Sequence, residues 1–165
     1  MNITLVDIKE KDFEFIKEVY NHYILNTTVT FHTVPVGIEY LKNEIWISHP
    51  KYKSYIICNS GNTAGYCYLS QYKKREAYDR SAEITIYLKP SCAGKGIGLQ
   101  VLKLMEPTAY KNGISVLIGV ISGDNERSIK VFEKAGYIKC AHYKKIGEKF
   151  GKLLDVVAYQ KILAE

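Results

Sequence analysis

The chain has 165 residues, 47% of them apolar and 24% charged, with a formal net charge of +6. That length suits one well-buried core and is short for two, the composition argues against disorder, and no apolar run approaches the roughly 20 residues that span a bilayer. A single domain, residues 1–165, is expected. The opening "MNITLVDIKEKDF" has early acids and no charged-then-apolar leader pattern, which points to the cytoplasm. Cys58, Cys67, Cys92 and Cys140 form no C-x-x-C pair, and His22, His32, His49 and His142 lack ligand spacing. Reduced, mostly buried thiols and no metal are therefore expected. The positive charge favours an anionic partner, but the basic residues are spread along the chain and no RNA-binding aromatic motif is present. No nucleic-acid or membrane partner is expected.

Residues 3–8 alternate as a first strand. From Asp12, the apolar positions Ile16, Val19, Tyr20, Tyr23 and Ile24 recur at helical spacing and predict a helix to about Leu25. "TVTFHTVP" reads as extended, because Thr and Val disfavour helix and Pro35 restricts Val34. A second helix follows Gly37, with Leu41, Ile45 and Trp46 inward. "YKSYIICNSGNTAGYCYLSQY" reads as a hairpin turning at Asn59 to Asn62, and "AEITIYL" as a further strand closed by Pro90. After three alternate glycines comes a helix whose inward face is predicted to hold Ile97, Val101, Leu104 and Met105, with a kink at Pro107. "SVLIGVI" reads as a buried strand and "GDNERSIKVFEKAGY" as a short helix capped by Asp124 and stopped at Gly136. The tail "LLDVVAYQKIL" alternates again. The order is mixed α/β.

The stretch "SCAGKGIGLQVLKLME" places Gly94, Gly96 and Gly98 between a strand and a helix. Such a junction offers unpaired N–H groups, a positive helix end and close backbone approach, which together suit phosphate. The bland reading is a tight connection that needs positive φ. The G-x-x-x-x-G-K-[ST] spacing of a P-loop is absent, and so is the G-x-G-x-x-G of a dinucleotide fold after its first strand.

The run Ala93, Gly94, Lys95, Gly96, Ile97, Gly98 resembles the R/Q-x-x-G-x-G/A signature of the GNAT superfamily of N-acetyltransferases. That family's backbone amides hold the pyrophosphate of acetyl-CoA. Ala93 stands where the family has Arg or Gln, and Lys95 could supply part of that charge. "DNERSIKVFEKAGY" is similar to the family's Asn-x-x-Ser/Ala helix, which implies that Asn125 and Ser128 lie along the cofactor arm. The resemblance implies a central, mostly antiparallel twisted sheet with helices on both faces. It also implies acetyl-CoA as cosubstrate, with backbone groups of Ile86, Tyr87 and Leu88 orienting the thioester.

Three further segments, Asn21 to Pro35, Tyr72 to Leu88 and Gly147 to Gln160, are similar to the phosphinothricin acetyltransferase branch. The branch implies a homodimer that acetylates the α-amino group of a small amino-acid-like acceptor such as methionine sulfone or sulfoximine. It places Lys73, Arg75 and Tyr78 in the acceptor loop, Phe31 and Tyr68 on the pocket wall, and Glu83 as general base. A guanidinium and an ammonium suit a carboxylate or phosphinate; the bland alternative is a solvated basic loop. By the same resemblance, Phe132 stands where many GNAT enzymes carry Tyr as general acid and the phosphinothricin branch carries His. The remaining alternatives are a protein or other amine acetyltransferase of the same fold, or a noncatalytic acyl-CoA-binding or nucleic-acid-binding module.

Overall fold

The computed structural model describes residues 1–164; Glu165, the last residue of the expected domain, lies outside the described residues. The chain runs through β1 (Ile3–Asp7), α1 (Phe13–Asn26), α2 (Ile38–Glu44), β2 (Ser54–Asn59) and β3 (Asn62–Gln71). It continues through β4 (Ser81–Leu88), α3 (Ile97–Lys111), β5 (Val116–Ser122), α4 (Glu126–Lys134), β6 (Ile138–Lys149) and β7 (Lys152–Ile162). Among the described residues these strands form one seven-stranded sheet in the order β1-β2-β3-β4-β5-β7-β6. All neighbours are antiparallel except β4 and β5. No described helix is long and apolar enough to cross a membrane.

Strand alternation sends apolar side chains to both faces of the sheet, so each face needs a helical cover. On one face Ala82, Ile84, Leu117 and Ile121 pack with Ile97, Val101, Leu102 and Met105 of α3 and Phe132 of α4. On the other, Ile56 and Tyr66 pack with Phe13, Ile16 and Val19 of α1 and with Leu41 of α2.

Several expectations change in detail. In α3 it is Leu102 that is buried, while Leu104 is 40% exposed. The stripe Ile97, Val101, Met105, Ala109 precesses about 40° every four residues, and Leu104 falls off its trailing edge. The helix continues through Pro107 to Lys111. The cap of α4 is Asn125, whose Oδ1 accepts the Ser128 N–H at 3.2 Å; Asp124 instead accepts from Ser122 and Thr28. Gly136 ends α4 as expected, at φ +85, with the Gly136 N–H on Glu133 O and the Tyr137 N–H on Phe132 O. Of the thiols only Cys67 is fully buried, and Cys140 is exposed. "TVTFHTVP" belongs to no strand and forms an irregular strap.

The long edge strand β6 has no counterpart in the periodicity reading. Most of its residues are exposed, and Lys139, His142, Lys144, Lys145 and Glu148 leave no alternating apolar signal. Pairing with β7 is what makes it a strand.

Candidate active site

The parallel strands β4 and β5 keep register only at Ser81↔Val116, Ala82↔Leu117 and Glu83↔Ile118. Beyond that point β4 stays paired to β3 as far as Leu88, and β5 stays paired to β7 as far as Ser122. The two strands therefore part immediately after Glu83 and leave a seam with facing, unpaired edges.

Alternation fixes which backbone groups line that seam. The Val116 N–H donates to Arg80 O across the β4–β5 boundary, whereas the Lys89 N–H donates to Ala64 O on the opposite side. Even-numbered residues of β4 thus direct their backbone groups toward β5, and odd-numbered residues direct theirs toward β3. Of the three residues expected to orient a thioester, Ile86 and Leu88 present groups to the seam. Tyr87 does not, because its carbonyl lies against Gly65 of β3, 2.2 Å from where a Cβ on that glycine would stand. The Leu88 carbonyl already accepts the Tyr23 hydroxyl at 2.6 Å, so its N–H is the group left over.

The glycine loop follows at the end of β4. Gly94 and Gly96 adopt φ +77 and +78, the left-handed region where a Cβ is costly. Gly96 caps α3 without any side-chain acceptor, so the N–H groups of Ile97, Gly98 and Leu99 have no partner within the helix. Those donors and the helix dipole fit a pyrophosphate. Gly98 differs from the other two: a Cβ there would meet Val131 of α4 at 3.4 Å, an ordinary van der Waals contact. The Ala93 N–H is occupied by Pro90 O, and the Ile97 side chain is buried in the core. Lys95 is exposed on the loop. Arg127, which the sequence reading missed, brings its guanidinium carbon within 3.9 Å of a Cβ built on Gly94. It supplies a cation from α4 at the loop where Ala93 cannot. Asn125 and Ser128 are joined by the helix cap.

Glu83 is half-buried at the vertex of the seam. Burial pushes its carboxyl above the ordinary range; Lys73 opposes this, and Glu44 at the end of α2 adds to it. Of the loop residues Lys73, Arg75 and Tyr78, it is Lys73 whose charge acts on Glu83. Arg75 lies over the Tyr78 ring at 5.8 Å on the exposed part of the same loop.

Tyr68 and Tyr87 share the Glu83 face of the sheet. Tyr68 stacks on Tyr66, and Tyr87 meets Tyr66, Tyr20 and Tyr23 at ring separations of 5.2 to 5.6 Å. The face of the sheet beside Glu83 is therefore largely phenolic. The strap crosses above it. Thr28 Oγ1 donates to Asp124 at 2.6 Å, Thr30 Oγ1 shares a hydrogen bond with the Tyr20 hydroxyl at 2.9 Å, and Phe31 packs on Gly147. Cavities of 180 and 280 Å³ lie elsewhere, one beside Asp7, His49 and Ser54 and the other beside Met1, Gln100 and Lys103. The candidate site is an open seam between strands, distinct from both.

The chain as a whole is also similar to known proteins. Residues 5–158 match the model of the acetyltransferase (GNAT) domain family. The phosphinothricin N-acetyltransferase of Streptomyces coelicolor is 32% identical over 161 residues, covering 93% of this chain and 92% of that protein. The L-methionine sulfoximine/L-methionine sulfone acetyltransferase of Pseudomonas aeruginosa is 25% identical, covering 97% and 94%. A phosphinothricin acetyltransferase from Sinorhizobium meliloti, solved in complex with acetyl-CoA, superposes with a TM-score of 0.91 at 28% identity, covering 99% of this chain and 90% of that one. The chain belongs to the GNAT family of N-acetyltransferases.

Proposed function

We propose that this enzyme transfers the acetyl group of acetyl-CoA to the α-amino group of a small amino-acid-like acceptor of the phosphinothricin, methionine sulfone or methionine sulfoximine type. Residues 1–165 are taken as one catalytic domain. The observation that carries the reading is the half-buried Glu83 at the vertex of the β4–β5 seam, within electrostatic reach of Lys73. The relatives named for these acceptors, and their near full-length coverage, support the acceptor class.

Each group has a task in this reading. The uncapped N–H groups of Ile97, Gly98 and Leu99 hold the pyrophosphate, with Gly94, Lys95 and Gly96 shaping the loop and Arg127 adding charge. Asn125 and Ser128 flank the cofactor arm. The backbone edge of Ile86 and Leu88 orients the thioester, which supplies the acyl group. Lys73, Arg75 and Tyr78 hold the acceptor's acidic group, with Phe31 and Tyr68 as walls. Glu83 accepts a proton from the acceptor ammonium, directly or through water, so that a neutral amine attacks the thioester carbonyl in a ternary complex. Phe132 donates no proton, and the coenzyme A thiol, with a pKa near that of cysteine at about 8.5, departs as thiolate.

The surroundings suit a cytoplasmic homodimer. Free thiols fit a reducing compartment, and the exposed edge strand carries Ile138, Tyr143 and Ile146 where a second copy would cover them. Sedimentation at micromolar concentration checks the dimer.

The deciding experiment measures acetylated product by mass, with acetyl-CoA and a panel of methionine sulfone, methionine sulfoximine, phosphinothricin, a peptide N-terminus and a polyamine. Turnover confined to the amino-acid analogues is expected. Turnover of the peptide or polyamine alone would reassign the acceptor, and acetyl-CoA binding without any turnover would leave a noncatalytic acyl-CoA-binding protein.

A further inference from the structure

Lys149, near the end of β6, is only 3% exposed. Its ammonium donates to the Thr30 carbonyl at 2.8 Å, and it belongs to none of the ion pairs among the described residues. Its partners are that neutral carbonyl and the Phe150 ring, 5.1 Å from the ammonium; neither neutralises a buried charge, and one carbonyl uses only one of the three ammonium donors. Burial also pushes this ammonium below the ordinary lysine range. Methionine would fill the same volume without that cost. Something else must account for a cation at this position.

Its place in the fold suggests what. Gly147 and Lys149 pair with Leu154 and Lys152, which puts both on one face of the β6–β7 hairpin. That face receives the strap, because Phe31 packs on Gly147 and Thr30 carries the carbonyl that Lys149 holds. Thr30 is in turn hydrogen-bonded to Tyr20, whose ring meets Tyr87 at 5.2 Å on the Glu83 face of β4. The ammonium is therefore linked through Thr30 and Tyr20 to the phenolic face that carries Glu83, and it comes from a different element than the loop carrying Lys73 and Arg75.

We propose that Lys149 is a specificity-determining residue that binds an oxyanion of the acceptor, using the ammonium donors that Thr30 leaves free. This rests on the amino-acid acceptor reading above. An α-carboxylate or a side-chain phosphinate would complete the pair and relieve the burial cost while acceptor is bound. The amine would then face Glu83 from below while an acidic group is held from the strap side. Acceptors lacking that group lose the contact.

The test compares wild type with Lys149→Met and Lys149→Arg, at saturating acetyl-CoA, on methionine sulfone, methionine sulfone amide and phosphinothricin. Wild type should prefer methionine sulfone to its amide. Lys149→Met should raise KM for methionine sulfone about tenfold or more, the usual scale for losing a charged hydrogen bond. It should leave KM for the amide and for acetyl-CoA unchanged, and Lys149→Arg should restore part of the preference. If the penalty instead falls on phosphinothricin and spares methionine sulfone, the oxyanion is the phosphinate, and the role stands.

An equal rise for methionine sulfone and its amide, or no change for any of the three acceptors, would assign Lys149 to holding the strap and overturn the proposal. Melting temperatures and acetyl-CoA binding of both variants identify any folding defect, and a loss confined to acceptors that carry the acidic group is what a purely structural role would not produce. Wild type inactive on every amino-acid analogue would overturn the acceptor reading itself, before any variant is made, and this role with it.

Discussion

The Phe132 ring lies so close beneath Gly119 that a β-carbon on the glycine would stand 2.3 Å from Cε1. Gly119 is the first β5 residue beyond the last pair with β4, Ile118 with Glu83. The ring therefore sits under the vertex of the seam, buried and edge-on to Tyr137 at 4.9 Å. A residue that offers no proton serves here as a packing element for the strand whose free edge forms one wall of the site.

This contact makes a stability prediction. Gly119→Ala should cost about 1–3 kcal/mol through overpacking, and Phe132→Ala about 3–5 kcal/mol through a cavity. The double variant should lose less than the sum, because the vacated ring volume accepts the new methyl. Urea unfolding of the three variants measures the coupling; strict additivity would mean that the two sites relax independently.

Glu83→Gln should lower kcat/KM most at acidic pH and lose much of its effect above about pH 8.5. An α-amine with a pKa near 8 is roughly 10% neutral at pH 7 and needs little help once the pH exceeds its own pKa. Loss of equal size at every pH would point to positioning rather than proton transfer.

The same carboxyl should affect stability with a definite sign. Burial raises the folded-state pKa of Glu83, so ionisation is disfavoured in the native state. Its protonated form is the better tolerated one, and that advantage is lost as pH rises through the raised pKa. Glu83→Gln should therefore melt higher than wild type at pH 7 to 8. The gap should close as the pH falls toward the ordinary glutamate range, near about 4.3. Differential scanning calorimetry across that range tests the sign.

Lys73 holds the Glu83 carboxyl down against the effect of burial. Lys73→Met should therefore shift the acidic limb of the kcat/KM profile to higher pH, in addition to raising KM for an acidic acceptor. An unmoved limb with a raised KM would confine Lys73 to acceptor binding.

Arg127→Ala should weaken acetyl-CoA binding about threefold to thirtyfold and flatten its salt dependence, since a guanidinium beside the glycine loop adds a charge-assisted contact. Gly94→Ala should weaken binding as well, through left-handed backbone strain at φ +77. Isothermal titration at two ionic strengths separates the two effects, because only Arg127→Ala should change the salt slope.

Much of this protein follows from local sequence. The glycine spacing, the stop at Gly136 and the two-residue turn after Asn59 are legible because each depends on the conformations available to a few adjacent residues. So are the helices and all strands except β6, because a buried face leaves a period in the chain. What tertiary structure decided is juxtaposition. The seam exists because β4 and β5 lose register after one particular pair. Thr30 and Lys149 are 119 residues apart in sequence yet share a hydrogen bond. Arg127, Glu44 and Lys149 carry no local signal, since an exposed helical arginine, a helix-end acid and an edge-strand lysine look ordinary until a fold brings them beside a loop, a carboxylate or a strap. Periodicity records which side of an element is buried, and it holds no information about what lies across a cleft.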